Sequence, residues 1–324
     1  MSPMMFSFVV GVVIVNVALA ITAWSIWFER KFAGRLQNRP GPTEVGWVGL
    51  LQPIADLLKL IQKEDTAPQN ADKTLFNLAP PLTVIFALSV LAVVPFTPEY
   101  VVADLDVGLL FILALGSILV LPVWMAGWAS NNKFALLGAM RAASQTISYE
   151  IPLLLCAIVP VILADSFNLG EIVAAQEGYR WFAFWPPGPG FIAFILFYLC
   201  SLAEANRIPF DIPEAESELV AGVTTEYSGM KFGLFYLAEY LHTLIASAVA
   251  AVLFFGGWEG PGQDGLHWML AKTLFLFSTI FWVRWGLLRY RQDQLLAICW
   301  KYFLPLSLSL VASAAIWKVY WGAA

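Results

Sequence analysis

The chain has 324 residues, of which 60% are hydrophobic and only 13% charged, with a mean hydropathy of +0.73 and a formal net charge of −5. Its charged share is about half that of an average soluble protein. A soluble domain of this composition could not cover itself with polar surface, and the sequence predicts one all-α polytopic membrane domain over residues 1–324. Three separated cysteines (Cys156, Cys200, Cys299), two histidines (His242, His267) and no CxxC or CxxCH argue against iron–sulfur, zinc or c-type haem in this chain. No redox centre, metal or cofactor of its own is expected, and no nucleic-acid partner.

Eight apolar segments reach the roughly 20 residues that cross a bilayer. The first, 5–28, lacks a basic n-region and a small-residue cleavage site and is expected to remain as a helix. The loop after it contains EVGWVGLLQPIADLLKLIQKED, where Val48, Leu51, Leu58 and Ile61 alternate with Gln52, Asp56, Lys59 and Lys63. That spacing predicts an amphipathic helix over 44–63 on the membrane surface, with Pro53 near its start or at a kink. Spans at 75–96 and 107–128 follow.

The next three spans, 144–164, 189–208 and 234–255, carry acids that they cannot avoid. After Glu150 only 14 apolar residues remain, so the helix must extend back through SQTISYE; Glu204 arrives after 13 apolar residues from Phe191; Glu239 lies six residues into its span. An ionised acid in mid-bilayer costs about 2.5–3.5 kcal/mol on insertion scales. Three at similar depth suit a proton relay, because desolvation favours a carboxyl that takes up and releases protons near neutral pH. Glu239 and His242 form E-x-x-H on one helical face. With a single such motif, a hydrogen-bonded pair is expected rather than a metal site. Spans at 266–286 and 302–321 complete the set.

Between the fifth and sixth spans, residues 204–233 collect six carboxylates (Glu204, Asp211, Glu214, Glu216, Glu218, Glu226) against Arg207 and Lys231. Pro213 could take a first helical position, which would put Glu214, Glu216 and Glu218 in or near the first turn, where the helix dipole favours anions. Phe210, Ile212, Leu219 and Val220 make the segment a poor disordered linker and suited to folding back on the spans. Fifteen of the 18 Lys and Arg lie in or beside the loops after spans 1, 3, 5 and 7; Arg180, Lys272 and Lys318 lie on the other side. The positive-inside rule puts those loops inside and both termini outside.

Four strings then carry a resemblance: ERKFAGRLQNRPGPTEVGWVGLLQPIADLLKLIQKED, GWASNNKFALLGAMRAASQTISYE, AEANRIPFDIPEAESELVAGVTTEYSG and LAEY. Over nearly its full length the chain resembles the H subunits of proton-pumping NADH:quinone oxidoreductase (respiratory complex I), the family of mitochondrial subunit 1. The resemblance implies an eight-helix subunit at the heel of the membrane arm, forming much of the quinone chamber and the start of the polar path to proton pumping. Quinone, ubiquinone among its types, would be the substrate. Flavin and iron–sulfur clusters would belong to partner subunits. Partners would be peripheral-arm subunits near the terminal cluster, small membrane subunits leading to antiporter-like ones, and the bilayer. The matching strings imply a path through Glu150, Glu204, Glu239, Asp211, Glu214, Glu216 and Glu218, with Arg141 near the acids. They imply a chamber entrance at Glu29 and Arg30, at Asp56, and at the loop of Arg207 and Phe210. One departure is visible: LRYRQDQ stands where the family often reads PRxRYDQ, with Leu288 for Pro and Gln292 for Tyr. The homologous membrane subunit of a nickel–iron hydrogenase, or of a ferredoxin or reduced-deazaflavin dehydrogenase, is the alternative. The expected location is a bacterial inner membrane rather than the mitochondrial one.

Overall fold

The structure, a computed structural model, describes residues 3–321 apart from Tyr179, Pro186, Glu214 and Ala215, and leaves aside the side chains of Pro3, Met4, Phe6, Glu216, Ser217 and Trp321. All secondary structure among the described residues is helical: α1 (Pro3–Leu36), α2 (Gln52–Gln62), α3 (Lys73–Leu91), α4 (Gly108–Ile118), α5 (Val120–Ala129), α6 (Lys133–Ala164), α7 (Leu169–Ala174), α8 (Pro189–Glu204), α9 (Glu216–Leu219), α10 (Gly229–Phe255), α11 (Leu266–Gly286), α12 (Gln292–Ile298) and α13 (Leu304–Trp321). A π-helical turn, Cys299–Phe303, joins the last two into one apolar helix.

Seven helices among the described residues are long and apolar enough to cross a membrane. The fifth predicted span ends four residues earlier than expected: α8 has 16 residues and stops at Glu204. At 1.5 Å per residue it is about 24 Å long, shorter than those seven apolar helices, and the loop after it still joins the loops after the first and seventh spans. The helix ends because Asn206 takes a left-handed φ of 51° and the Arg207 N–H turns back to the Leu202 carbonyl at 3.2 Å. The third predicted span is divided at Leu119 into α4 and α5; Pro122 has no N–H to return to the Ile118 carbonyl. By contrast, α6 starts 11 residues earlier than predicted, capped by Asn132 Oδ1 accepting from the Phe134 N–H at 2.8 Å.

The amphipathic helix is also shorter than expected. Gly46, Val48 and Gly49 have φ of 74°, 56° and 76°, so the first part of 44–63 folds as a 3₁₀ turn, Trp47–Gly49. The α-helix starts at Gln52, with Pro53 in its first turn, and none of its residues is buried. Leu57, Leu58 and Ile61 stay exposed along it.

The loops after the first, third, fifth and seventh spans gather at one end of the bundle. Asp72 N–H reaches the Ala129 carbonyl at 3.1 Å, Thr66 N–H reaches Ser228 Oγ at 3.0 Å, and Tyr290 N–H reaches the Pro209 carbonyl at 3.1 Å. The other loops meet at the opposite end, through Leu109 N–H to the Phe167 carbonyl (3.1 Å) and the Lys318–Asp165 ion pair (2.7 Å). The core sits around α10, whose Leu241, Ala251, Val252, Leu253 and Phe254 are fully buried. Phe8, Val13, Trp282 and Val319 point outward, as a lipid-facing surface requires.

Candidate functional site

At the basic end, four elements bring their charges into one buried cluster. Glu29 of α1 is ion-paired with Arg284 of α11 (Nη1–Oε1 2.7 Å) and accepts the hydroxyl hydrogen bond of Tyr240 on α10. The guanidinium of Arg207, 1% exposed, lies 3.9 Å from the centre of the Tyr240 ring, and its Nε stands 3.1 Å from Oε1 of Glu239. Tyr236 donates to the Tyr240 oxygen at 3.1 Å. Each buried charge thus has an opposite neighbour, the condition under which ion pairs persist away from water. Arg207 Nη1 and Nη2 make no hydrogen bond with described residues and keep free donors in the core.

From Glu239 the polar line continues through two cavities. The first, about 110 Å³, is lined by Glu239, His242 and Glu204 with Thr83, Thr146, Asn206 and Thr224. The second, about 50 Å³, is lined by Glu204, His242, Glu150 and Ser201. Both exceed the volume one water occupies and carry the polar partners that water needs. Glu150 also accepts the hydrogen bond of the Ser117 hydroxyl. The three intramembrane acids are therefore neighbours along one line. The expected Glu239–His242 pair is not formed: Glu239 turns to the fixed charge of Arg207, and His242 Nε2 stands 3.8 Å from Oε2 of Glu204. Among the described residues, no three His, Cys, Asp or Glu side chains are grouped as metal ligands.

The acidic loop is held against this line at both ends. Gln145, inside α6, donates at 2.7 Å to both the Ala203 and the Phe210 carbonyls. Phe210 is buried between Tyr149 and Tyr290. Asp211, next along, acts electrostatically on Glu239. Further on, Glu218 bridges Arg141 (2.6 Å) and Arg289 (2.5 Å) at the surface. The hydrogen bond from Arg141, with the Arg289 guanidinium, holds its carboxyl below the usual carboxylate range. The described helical residues here are Glu216–Leu219, and the expected first turn after Pro213 falls on residues outside those described. Glu214 and the side chain of Glu216 lie outside the described residues. At the rim, Arg30 pairs with Asp56 at 2.6 Å and fixes α2 against α1; Gln52 Nε2 donates to the same carboxylate at 3.0 Å.

Sequence reasoning missed the two residues that join these parts, Tyr240 and Arg284. Tyr240 stands in the LAEY string, but its ring and hydroxyl roles depend on α1 and the Arg207 loop reaching it. A second cluster at the opposite end was also missed. There Lys272 donates to the Phe255 (2.5 Å), Gly257 (3.0 Å) and Glu259 carbonyls and lies 4.4 Å from the Trp181 ring centre. Beside it Glu259 is buried, and that burial, with Asp264 and Glu177 nearby, pushes its carboxyl up to about 7.

The family model for NADH dehydrogenase matches residues 9–315. The chain is 47% identical over 320 residues to the second NADH-quinone oxidoreductase H subunit of Syntrophobacter fumaroxidans, covering 96% of this chain and 95% of the relative. It is 48% identical over 299 residues to the NADH-quinone oxidoreductase H subunit of Dehalococcoides mccartyi strain CBDB1, covering 92% and 82%. It is 45% identical over 319 residues to the corresponding H subunit of Syntrophotalea carbinolica, covering 95% of each.

Proposed function

The chain belongs to the NADH dehydrogenase family, and from that premise we propose that it is the membrane subunit that forms much of the quinone chamber of a proton-translocating NADH:quinone oxidoreductase. The observation that carries the reading is the continuous buried line from Glu29 and Arg284 through Tyr240, Arg207 and Glu239 to His242, Glu204 and Glu150. The basic end would face the cytoplasm of a bacterial inner membrane, with both termini outside, and would meet the flavin- and iron–sulfur-bearing arm there.

Quinone reduction to quinol takes up two electrons and two protons. The electrons would come from a partner's cluster. The protein's own contribution is the placement of charge. Quinone carbonyl oxygens accept hydrogen bonds, and the unbonded Nη1 and Nη2 of Arg207 are buried donors close to Glu239. A change of charge beside Arg207 alters its attraction for Glu239, and a released Glu239 carboxyl faces the first cavity. Protonation then passes along Glu204 and Glu150 toward small membrane subunits. Arg30–Asp56 and the exposed apolar residues of α2 would border the opening through which a quinone tail leaves the bilayer.

The test is purification through a tag on this chain in mild detergent, with mass spectrometry of partners and NADH-driven quinone reduction. Flavin and iron–sulfur partners with quinone-dependent NADH oxidation are expected. A nickel–iron partner, or reduction only by ferredoxin or reduced deazaflavin, would overturn the reaction while keeping the acid line.

A further inference from the structure

One member of the buried line is a base. His242 follows Glu239 by one helical turn on α10, and with Glu204 it is one of two ionisable residues lining both cavities. The first cavity holds Glu239 and the second holds Glu150. Among the described residues of their walls, the charged groups facing His242 are Glu204 from α8, Glu239 from its own helix and Glu150 from α6; no Lys or Arg lines either cavity. Its Nε2 is buried without a hydrogen bond, 3.8 Å from Oε2 of Glu204.

We propose that His242 is the joint of the path, taking a proton from the Glu239 side and passing it to Glu204. The inference rests on the reading of the acid line as a proton path. Glu239 is engaged by Arg207, and an isolated Glu239–Glu204 pair would offer two carboxyls with no nitrogen base between them. Imidazole supplies that group. The step balances without any other reagent: an O–H bond of one carboxyl breaks and an N–H bond forms at His242. The imidazolium then gives its proton to the Glu204 carboxylate and returns to neutral imidazole. At 3.8 Å the pair is too long for a hydrogen bond. A positive charge on the ring attracts the facing carboxylate, so arrival of the proton itself closes the gap for the second transfer.

The test uses the assembled complex in inverted membranes, comparing wild type with His242→Gln, His242→Asn, His242→Glu and Glu239→Gln for NADH:quinone turnover and proton pumping across pH. His242→Gln should assemble, lose about tenfold in coupled turnover, and show a pH profile of pumping that differs from wild type because the ring that carries the proton is gone. His242→Glu, which restores a proton carrier, should recover part of the rate; His242→Asn should not. Normal pumping and an unchanged pH profile in His242→Gln, with Glu239→Gln impaired, would overturn the joint and leave the acid path standing. Normal rates in both would remove the path and the joint together. Failure of both His242→Gln and His242→Asn to assemble would show a packing role instead.

Discussion

Nε of Arg207 stands 3.1 Å from Oε1 of Glu239, a contact that fastens the loop after α8 to the middle of the bundle. Both groups are removed from bulk water, so the pair is worth most when compared with either partner alone. Truncating one side of a buried pair strands the other charge at a cost of about 3–5 kcal/mol. Arg207→Met and Glu239→Gln should therefore each lower the thermal stability and steady-state level of the assembled complex. The double variant should lose less than the sum of the two, which a double-mutant cycle on melting and assembly measures. Simple additivity would mean that the 3.1 Å contact contributes no coupling.

Glu218 gives a pH prediction of ordinary sign. Its carboxyl is held low by Arg141 and Arg289, so its anchoring of the acidic loop is full above the normal glutamate range, about 4.3, and is lost as pH falls through the lower folded value. At neutral pH the anchor is intact, but it is half exposed and sensitive to salt. Exposed pairs contribute about 1 kcal/mol or less each. Glu218→Gln should raise local opening of the segment around Val220 by roughly fivefold, read by hydrogen exchange. An unchanged exchange rate at low salt would show that the bridge does not hold the loop.

At the opposite end the sign reverses. Glu259 has a folded pKa pushed up to about 7, so the folded state holds a proton that the unfolded state has already released. The stabilising effect is full below the ordinary glutamate value and fades as pH rises through about 7. Melting of the purified complex should fall between about pH 5 and pH 8, and Glu259→Gln, always neutral, should remove that slope. Lys272→Met should lower stability at every pH in that window, since it leaves three carbonyls without their donor. An identical slope in Glu259→Gln would assign the pH dependence elsewhere.

The apolar segments made the helical bundle legible, because a bilayer forces every span to satisfy its own backbone. Placing Glu150, Glu204 and Glu239 needed only the length of their apolar runs. What the sequence could not show was which charges meet. Glu29 and Arg284 are separated by most of the chain, and their pairing depends on α1 and α11 packing beside α10. The same holds for His242, whose nearest acid was expected one turn away on its own helix and stands instead on α8. Local spacing fixes faces, whereas the choice of partner belongs to packing. The early halt of α8 was hidden for a related reason: the polar residues after Glu204 are compatible with a helix until Asn206 turns left-handed and Arg207 is drawn to Glu239.

Gly116 tests the geometry of the path without touching an ionisable group. A methyl added to its Cα would lie 2.9 Å from Oε1 of Glu204. Alanine stabilises a helix interior by about 1 kcal/mol relative to glycine, so Gly116→Ala should not unfold α4. The crowding falls on the end of a flexible side chain, and the carboxylate must move away from α4. Glu204 is shared by both cavities, so the displacement should lower coupled turnover severalfold while assembly and melting stay near wild type. Adding Glu204→Asp shortens the acid by one methylene and relieves the contact, so the double variant should lose less than the two single losses combined. If Gly116→Ala pumps at the wild-type rate, the position of the Glu204 carboxylate against α4 is not what sets the rate of proton movement, and the path tolerates a displaced acid at its centre.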